Sequence, residues 1–506
     1  MSQDSKERKL GVLLGYLSVA FRNIASLLLI PFIISQIGVS HYGLYGLITA
    51  ITGYLVIIEF GLANTTIRFI SKYRVAKDKS AEQRVVGNIL WLYMIIVLIV
   101  LGAGFFIWHA IPFWFVEALT TREIALFQTL LVISLLNIVV TLISNSFTGI
   151  ISAYEKFVFL KSLEVVTFLL RVCLVLFLLS LGFGVIAIVV IDTVANLIAS
   201  ACKVGFVIRV MKIKVIIEKP SKESLYVIGS YTFFIALNVI INQVNWRADS
   251  FILGIFTDSH TLGVYNVGSQ FVLAFIAVAS TMTSIFMPQF MRLVNQQKSM
   301  HLITNHLIII GRYQFIVLGL AFICFMSFGQ LFVELFVGKG FENAYWITLI
   351  SLVPLIFVLS QSSSNAILQA MNKHKVRSIL LLSTAILNIM LSVFLVQKIG
   401  MIGAAIGTAI TLIIGEVILV NIYLIWSVKL DMVRFYKTIF IRVIPVIVIS
   451  LLITMVVRDY IPATWLGLIL GCSFSAFIYM ILAVVISLTV EERGQLVAYI
   501  KVKKSG

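Results

Sequence analysis

The chain has 506 residues, of which 61% are hydrophobic and only 12% are charged. Soluble domains carry about 25% charged residues, so this composition excludes a soluble protein and indicates one that crosses a membrane several times. The net charge of +17 does not indicate nucleic-acid binding, because the basic residues lie in short segments between apolar runs. The four cysteines are scattered in apolar runs without metal-ligand spacing, so no metal or other cofactor is expected.

The apolar runs predict an all-α polytopic fold. At about 20 residues per crossing, we expect fourteen transmembrane helices, because hydrocarbon leaves unpaired backbone groups without partners. The first run is longer than the apolar region of a signal peptide and shows no cleavage site, so it is expected to remain as a membrane helix. The predicted spans are 11–35, 43–70, 86–109, 124–149, 157–181, 183–209, 226–256, 262–289, 305–330, 344–370, 377–397, 400–427, 436–457 and 464–489.

The charges of the loops orient these helices. With the N-terminus placed in the cytoplasm, 28 Lys and Arg residues fall in cytoplasmic segments and four fall on the opposite side. The positive-inside rule therefore predicts that both termini are cytoplasmic. The four residues on the outer side are Arg122, Lys339, Lys398 and Arg458.

The sequence repeats itself once, at offsets of 217 to 220 residues. The matching segments are 32–45 with 251–265, 150–156 with 367–373, and 182–188 with 400–406. A repeat of six helices preserves orientation, and transporters bind substrates at the interface of such repeats. We therefore expect an N-lobe at 1–215 with helices 1–6, a C-lobe at 222–430 with helices 7–12, helices 13–14 at 436–489, and a cytoplasmic tail at 490–506.

This layout resembles the multidrug/oligosaccharidyl-lipid/polysaccharide exporter superfamily. The glycine–tyrosine turns after helices 1 and 7 are similar to that superfamily, as is the sequence from Asp249 to Gly254 at the end of helix 7. Residues 10–71 most resemble the polysaccharide (Wzx-type) flippases, which commonly have more than the twelve helices of the multidrug antiporters. The resemblance implies two lobes that rock around a cavity lined by helices 1, 2, 7 and 8.

Helix 7 carries the densest polarity inside a predicted span. Its candidates are Asn242, Asn245, Trp246, Arg247 and Asp249. A charge at the bilayer centre costs about 2.5–3.5 kcal/mol or more, so such groups usually face a wet cavity or a partner. Arg247 and Asp249 are two residues apart and cannot satisfy each other on a helix. The stretch fits a cavity for an anionic cargo, or a buried network that locks two helices together.

Helices 1 and 2 supply the remaining candidates. The repeat places Asn23 opposite Asn242, so its neighbour Arg22 is the second candidate for binding an anion. Glu59 is a counter-ion for an arginine, an ion-coupling carboxylate or a neutral buried group, and Asp249 is the other candidate for ion coupling.

Other intramembrane charges favour structural roles. We expect Arg171 on helix 5 to pair with Asp192 on helix 6 inside one lobe. Arg312 lies close enough to a cytoplasmic end to extend its guanidinium toward the interface. Glu416 on helix 12 is also more consistent with structure than with a site.

These observations predict a flippase and not an enzyme. It would move an undecaprenyl-diphosphate-linked oligosaccharide, such as an O-antigen or lipopolysaccharide precursor, to the outer face of the bacterial inner membrane by alternating access. Arginines would hold the diphosphate. The expected partners are this lipid-linked substrate, membrane lipids and polysaccharide polymerase machinery, without nucleic acid. The alternatives are an ion-coupled multidrug exporter of the same superfamily, which would want an acidic cavity, and a membrane glycosyltransferase, which would want a large outer loop.

Overall fold

The computed structural model of the chain describes residues 21–59, 61–213 and 247–494. Within these ranges the chain is helical and contains no strand. Twelve helices of this part are long and apolar enough to cross a membrane. They correspond to predicted helices 2–6 and 8–14, which confirms an all-α polytopic fold. Predicted helices 1 and 7 lie partly outside the described ranges, so the count of fourteen stays a prediction.

The helices are numbered to match the predicted spans. The bounds are α1 Phe21–Ile37, α2 Val39–Val75, α3 Lys79–Trp114, α4 Thr121–Ala153, α5 Phe157–Ser180, α6 Val185–Val210, α7 247–256, α8 Ser259–Asn295, α9 Met300–Val337, α10 Glu342–Ser360, α11 His374–Ile399, α12 Met401–Val428, α13 Met432–Arg458 and α14 Trp465–Ser487. The helices α1 and α7 are described only in part. Five described spans lie between them, and seven more follow α7.

Several helices extend beyond the apolar runs that predicted them. The third span was expected at 86–109, and α3 covers Lys79–Trp114. The difference arises because apolarity marks only the hydrocarbon-embedded part, whereas polar capping residues set the helix ends. Asp78 accepts a hydrogen bond from the amide of Ala81 at the start of α3, and Thr120 with Glu123 forms a capping box at the start of α4.

The chain divides into two compact units, Met1–Asn266 and Val267–Gly506, with the boundary inside α8. The described part of α7 therefore belongs to the first unit. The lobe bounds expected from the repeat, 1–215 and 222–430, remain a prediction.

The second unit includes α13 and α14, the helices left over from the repeat. Phe315 on α9, Phe435 on α13 and Tyr479 on α14 belong to one buried core. The Tyr479 hydroxyl donates a hydrogen bond of 2.9 Å to the carbonyl of Ile316. The additional helix pair is therefore packed into this unit through α9.

Candidate functional site

The described part of α7 packs against α2 and the end of α3 within the first unit. Gly254 faces the side chains of Leu47 and Phe115, where a Cβ atom would collide with both. Phe251 makes edge-to-face contacts with Trp114 and Phe115, with ring centroids 6.1 and 6.2 Å apart. The apolar side of α7 is thereby fixed, and its polar residues are held next to α2.

Helix α2 also meets the beginning of α8 with its backbone in contact. A Cβ atom at Gly43 would overlap the carbonyl of Ser259 and the amide of Gly263. A Cβ atom at Gly46 would overlap the side-chain amide of Asn266. Glycine is required at position 43, because the backbones of the two helices meet there, whereas a side chain at position 46 would displace the amide of Asn266.

Asp249 and Asn266 are buried in the space formed by this contact. Asp249 accepts a hydrogen bond of 2.7 Å from the hydroxyl of Tyr265, and both residues are buried. Asn266 accepts from Ser250 at 3.3 Å and donates to the carbonyl of Gly43 at 3.4 Å. The carboxylate is therefore stabilised by hydrogen bonding inside the unit, as a buried charge requires.

Arg247 differs from its neighbour Asp249. It is half-buried, and its guanidinium lies within electrostatic reach of the hydroxyls of Tyr54 and Tyr45. Across the described residues, it forms neither an ion pair nor a hydrogen bond. A partly buried guanidinium has five donors that need acceptors. The role of Arg247 in holding an anionic ligand stays a prediction.

Arg171 and Asp192 form the ion pair between α5 and α6 that the sequence predicts. The guanidinium donates to both carboxylate oxygens, and its Nη2 also donates to the hydroxyl of Tyr45 at 3.3 Å. The same hydroxyl donates to Asp192 at 3.3 Å. This pair is satisfied within the unit, which supports the structural role expected for it.

The two tyrosines of the repeat both bond to carboxylates. Tyr45 and Tyr265 occupy equivalent positions in the matching segments, and they donate to Asp192 and Asp249, respectively. The sequence comparison used these tyrosines only to align the halves and missed this role. Their recurrence at one offset was the signal that could have revealed it.

Arg22 and Asn23 lie at the beginning of α1, and both are exposed. The neighbouring ring of Phe21 contacts Phe168 edge to face at 5.9 Å. Arg22 has no ion pair in the described ranges, and its role in substrate binding stays a prediction. The other candidates expected to bind substrate, Asn242, Asn245 and Trp246, lie outside the described residues.

Glu59 lies where α2 is interrupted. The helix tightens into a 3₁₀ turn at Ile57–Glu59, and Gly61 adopts the left-handed conformation with φ of 71°. Tyr93 donates to one carboxylate oxygen at 2.7 Å, and Asn145 donates to the other at 2.9 Å. Glu59 is buried, and no described cation pairs with it. It is therefore a carboxylate held by neutral donors and not a counter-ion of a described arginine.

Two intramembrane arginines of the second unit pair with glutamates. Arg377 on α11 donates to Glu416 on α12 at 2.6 Å, which supports a structural role for Glu416. Arg312 was expected to extend toward the interface, but it is only 3% exposed. It pairs instead with Glu492 and donates to the carbonyl of Ser487 at 3.2 Å. The segment after α14 supplies the acceptors that this arginine would otherwise find in water.

The family is shown by sequence. A family model described as "Polysaccharide biosynthesis protein" matches residues 10–294, more than half of the chain. The chain belongs to this family. No curated protein sequence matches it.

Metal ligands are not grouped anywhere in the described ranges, where no three His, Cys, Asp or Glu side chains come together.

Solved structures identify the fold of this polysaccharide biosynthesis protein. The lipid II flippase MurJ, in an inward closed conformation, matches with a TM-score of 0.75 and 16% identity, covering 94% of this chain and 98% of that one. A multidrug resistance MATE family transporter of the MOP superfamily matches with a TM-score of 0.62 and 16% identity, covering 87% of this chain and 96% of that one. The Vibrio cholerae MATE transporter VcmN matches with a TM-score of 0.56 and 15% identity, covering 86% of this chain and 100% of that one. The resemblance to the exporter superfamily is confirmed at the level of the fold.

Proposed function

We propose that this member of the polysaccharide biosynthesis family is a flippase for an undecaprenyl-diphosphate-linked oligosaccharide. It would move this lipid from the cytoplasmic to the outer face of the bacterial inner membrane by alternating access. The observation that supports this most directly is Arg247, a half-buried guanidinium without an ion pair among the described residues. Arginine holds phosphate oxygens through two parallel hydrogen bonds, which suits it to a diphosphate.

Arg22 would supply the second positive charge for the diphosphate. Asn23, Asn242, Asn245 and Trp246 would contact the sugars, since amides and an aromatic face match hydroxyl-rich rings. The lipid II flippase among the structural neighbours supports a lipid-linked substrate for this fold. The family description supports a sugar polymer pathway. Polysaccharide polymerase machinery is then the expected partner downstream.

Transport would be coupled to an ion through Glu59 or Asp249. Each is a buried carboxylate whose described hydrogen-bond donors include a tyrosine hydroxyl. Such a carboxylate can gain or lose a proton, or bind a cation, without leaving an arginine unpaired. Ion binding would then shift the balance between the inward-open and outward-open states.

The arginines provide the first test. We expect Arg247→Ala and Arg22→Ala each to lower flipping of a fluorescent undecaprenyl-diphosphate oligosaccharide in proteoliposomes by about tenfold to hundredfold. The reason is that a hydrogen bond to a charged group contributes about 1.5–3 kcal/mol. The rate of probe transfer to the outer leaflet measures this.

Arg84→Ala is the matched control, because Arg84 is an exposed arginine near the start of α3, at the end that is predicted to be cytoplasmic. It should flip the probe at the normal rate. Size-exclusion profiles of all three variants should equal that of the parent protein. Normal flipping by both Arg22→Ala and Arg247→Ala would contradict the proposed substrate site.

The second candidate function is an ion-coupled multidrug exporter. The MATE transporters among the structural neighbours favour it, because they share the fold. Ethidium efflux from cells that produce the protein distinguishes the two functions. Efflux driven by an ion gradient, without flipping of the oligosaccharide lipid, would establish the exporter.

A further inference from the structure

A cavity of about 770 Å³ lies within the second unit, outside the site described above. It forms where the first turns of α9 and α13 meet the segment that follows α14. These ends lie on one face of the unit. The amide of Asp431 donates to the hydroxyl of Thr304 at 3.4 Å, and the hydroxyl of Ser487 donates to the carbonyl of Arg442 at 2.6 Å. The loop charges predict that this face is cytoplasmic.

The wall of the cavity carries an excess of positive charge. Arg434, Lys437 and Arg442 line it from α13, and Arg434 and Lys437 are exposed. Of the two acidic residues in the wall, Glu492 is already occupied. It accepts from Arg312 and from the hydroxyl of Tyr313, the latter at 3.0 Å. With Arg312, the wall holds four cations against the two carboxylates Glu491 and Glu492, so its net positive charge would attract an anion.

Two buried polar atoms in the same wall have no hydrogen-bond partner among the described residues. They are the Nε donor of Arg312 and the amide oxygen of Asn305. Arg312 is 3% exposed and lines the cavity. A buried polar group without a partner costs about 1–3 kcal/mol. A ligand that supplies both an acceptor and a hydroxyl donor would remove this cost.

The cavity also has an apolar border. Ile309 and Ile441 line it and are 41% and 61% exposed, on helices that span the membrane. An exposed isoleucine on a transmembrane helix faces lipid chains. The ligand that fits this surface is therefore amphipathic, with a negative, hydroxylated head and a hydrocarbon tail.

We propose that this cavity binds an anionic phospholipid with a hydroxylated headgroup, such as phosphatidylglycerol. The phosphate lies between Arg434, Lys437 and Arg442, as in other basic pockets between membrane helices at the cytoplasmic side. The headgroup hydroxyls reach Asn305, and the acyl chains run along Ile309 and Ile441. Neither the identity of the transported substrate nor the flippase activity is needed for this site.

The experiment is native mass spectrometry of the full-length protein in detergent, titrated with phosphatidylglycerol or with phosphatidylcholine of the same acyl chains. We expect phosphatidylglycerol to bind at least tenfold more tightly. The double substitution Arg434→Gln with Lys437→Gln should remove most of this preference, since each basic residue near a lipid surface adds attraction of about 1 kcal/mol, or roughly fivefold in affinity.

The matched control removes the same two charges from the end of α8, through Arg292→Gln with Lys298→Gln. Both residues are exposed and neither lines the cavity, so this variant should retain the preference. A third arm adds glycerol-3-phosphate, which carries the head without the tail and should not compete with the lipid at equal concentration. Equal binding of both lipids, equal loss in both double variants, or full competition by glycerol-3-phosphate would each overturn the proposal.

Discussion

Three carboxylates within the spans of the first unit each accept a hydrogen bond from a tyrosine hydroxyl. Glu59, Asp192 and Asp249 accept from Tyr93, Tyr45 and Tyr265, respectively. A buried carboxylate without hydrogen bonds would carry a large desolvation cost. A tyrosine hydroxyl offsets part of that cost without fixing a charge nearby. Asp192 also pairs with an arginine, whereas the donors to Glu59 among the described residues, Tyr93 and Asn145, are neutral.

Glu59→Gln tests ion coupling at this residue. Glutamine has the same shape and can keep the hydrogen bond from Asn145 through its carbonyl oxygen, so the fold should persist. It cannot ionise. We therefore expect flipping to continue at a rate that no longer changes between pH 6 and pH 8 or on replacing Na⁺, whereas the parent rate changes by several-fold. Proteoliposome assays at the two pH values measure this.

Glu82 offers the control for that experiment. It is also a buried glutamate, and it accepts a hydrogen bond from Tyr154, but it lies in the first turn of α3. Tyr154 lies between α4 and α5, and burial raises its pKa to about 12, so it remains a donor at neutral pH. Glu82→Gln should leave the ion dependence of flipping intact. If the flipping rate of Glu59→Gln still changed with pH as the parent rate does, Glu59 would be excluded from the coupling.

Helix α2 is the element around which the site is built. Gly43 and Gly46 of α2 pack against the beginning of α8, and Leu47 packs against Gly254 of α7. Where α2 is interrupted, Glu59 accepts hydrogen bonds from α3 and α4. Membrane helices gain no hydrophobic driving force from packing against one another. Close van der Waals contact at small residues stabilises their packing instead. The geometry next to Arg247 therefore depends on residues that carry no charge.

Gly43→Leu tests this contact. The larger side chain would overlap the backbone of α8, and overpacking of this kind costs about 1–3 kcal/mol or more. We expect the midpoint of thermal unfolding in detergent to fall by several degrees, together with lower flipping. Gly102→Leu on α3 is the control, because nothing lies within 4 Å of a Cβ atom there. A loss of stability in Gly102→Leu equal to that in Gly43→Leu would show that close packing at Gly43 is not the cause.

The whole molecule is a multi-pass membrane protein whose loop charges assign it an orientation. The charges predict that the loop between α2 and α3 is cytoplasmic and that the loop between α3 and α4 is on the outer side. The chain carries only four cysteines, and those lie in spans. Engineered cysteines in loops therefore report the side on which each loop lies.

Lys79→Cys and Glu117→Cys test the orientation in a variant whose native cysteines are replaced by serine. Both positions are exposed. In intact cells a membrane-impermeant maleimide should label Glu117→Cys strongly and Lys79→Cys only after permeabilisation. The reverse pattern would place the termini outside. Labelling of both positions in intact cells would show that the loop assignment is wrong.

Much of the fold was predictable from the sequence because hydrocarbon permits few backbone conformations. Runs of apolar residues marked twelve helices that the structure describes, and the pair Arg171–Asp192 followed from two charges that need each other at one depth. The predicted ends were less accurate, as at α3, because caps rather than hydrophobicity end a helix.

The sequence by itself determined that the chain crosses the membrane repeatedly, since this follows from local composition. The relation between its halves, inferred from similarity along the chain, stays a prediction. Only the tertiary structure decided that Asp249 bonds to Tyr265, that Glu59 bonds to Tyr93 and Asn145, and that Arg312 bonds to Glu492. The reason is physical: a buried polar group takes whatever partner packing brings within about 3 Å. In the last two of these cases the partners lie on helices or segments far apart in the chain.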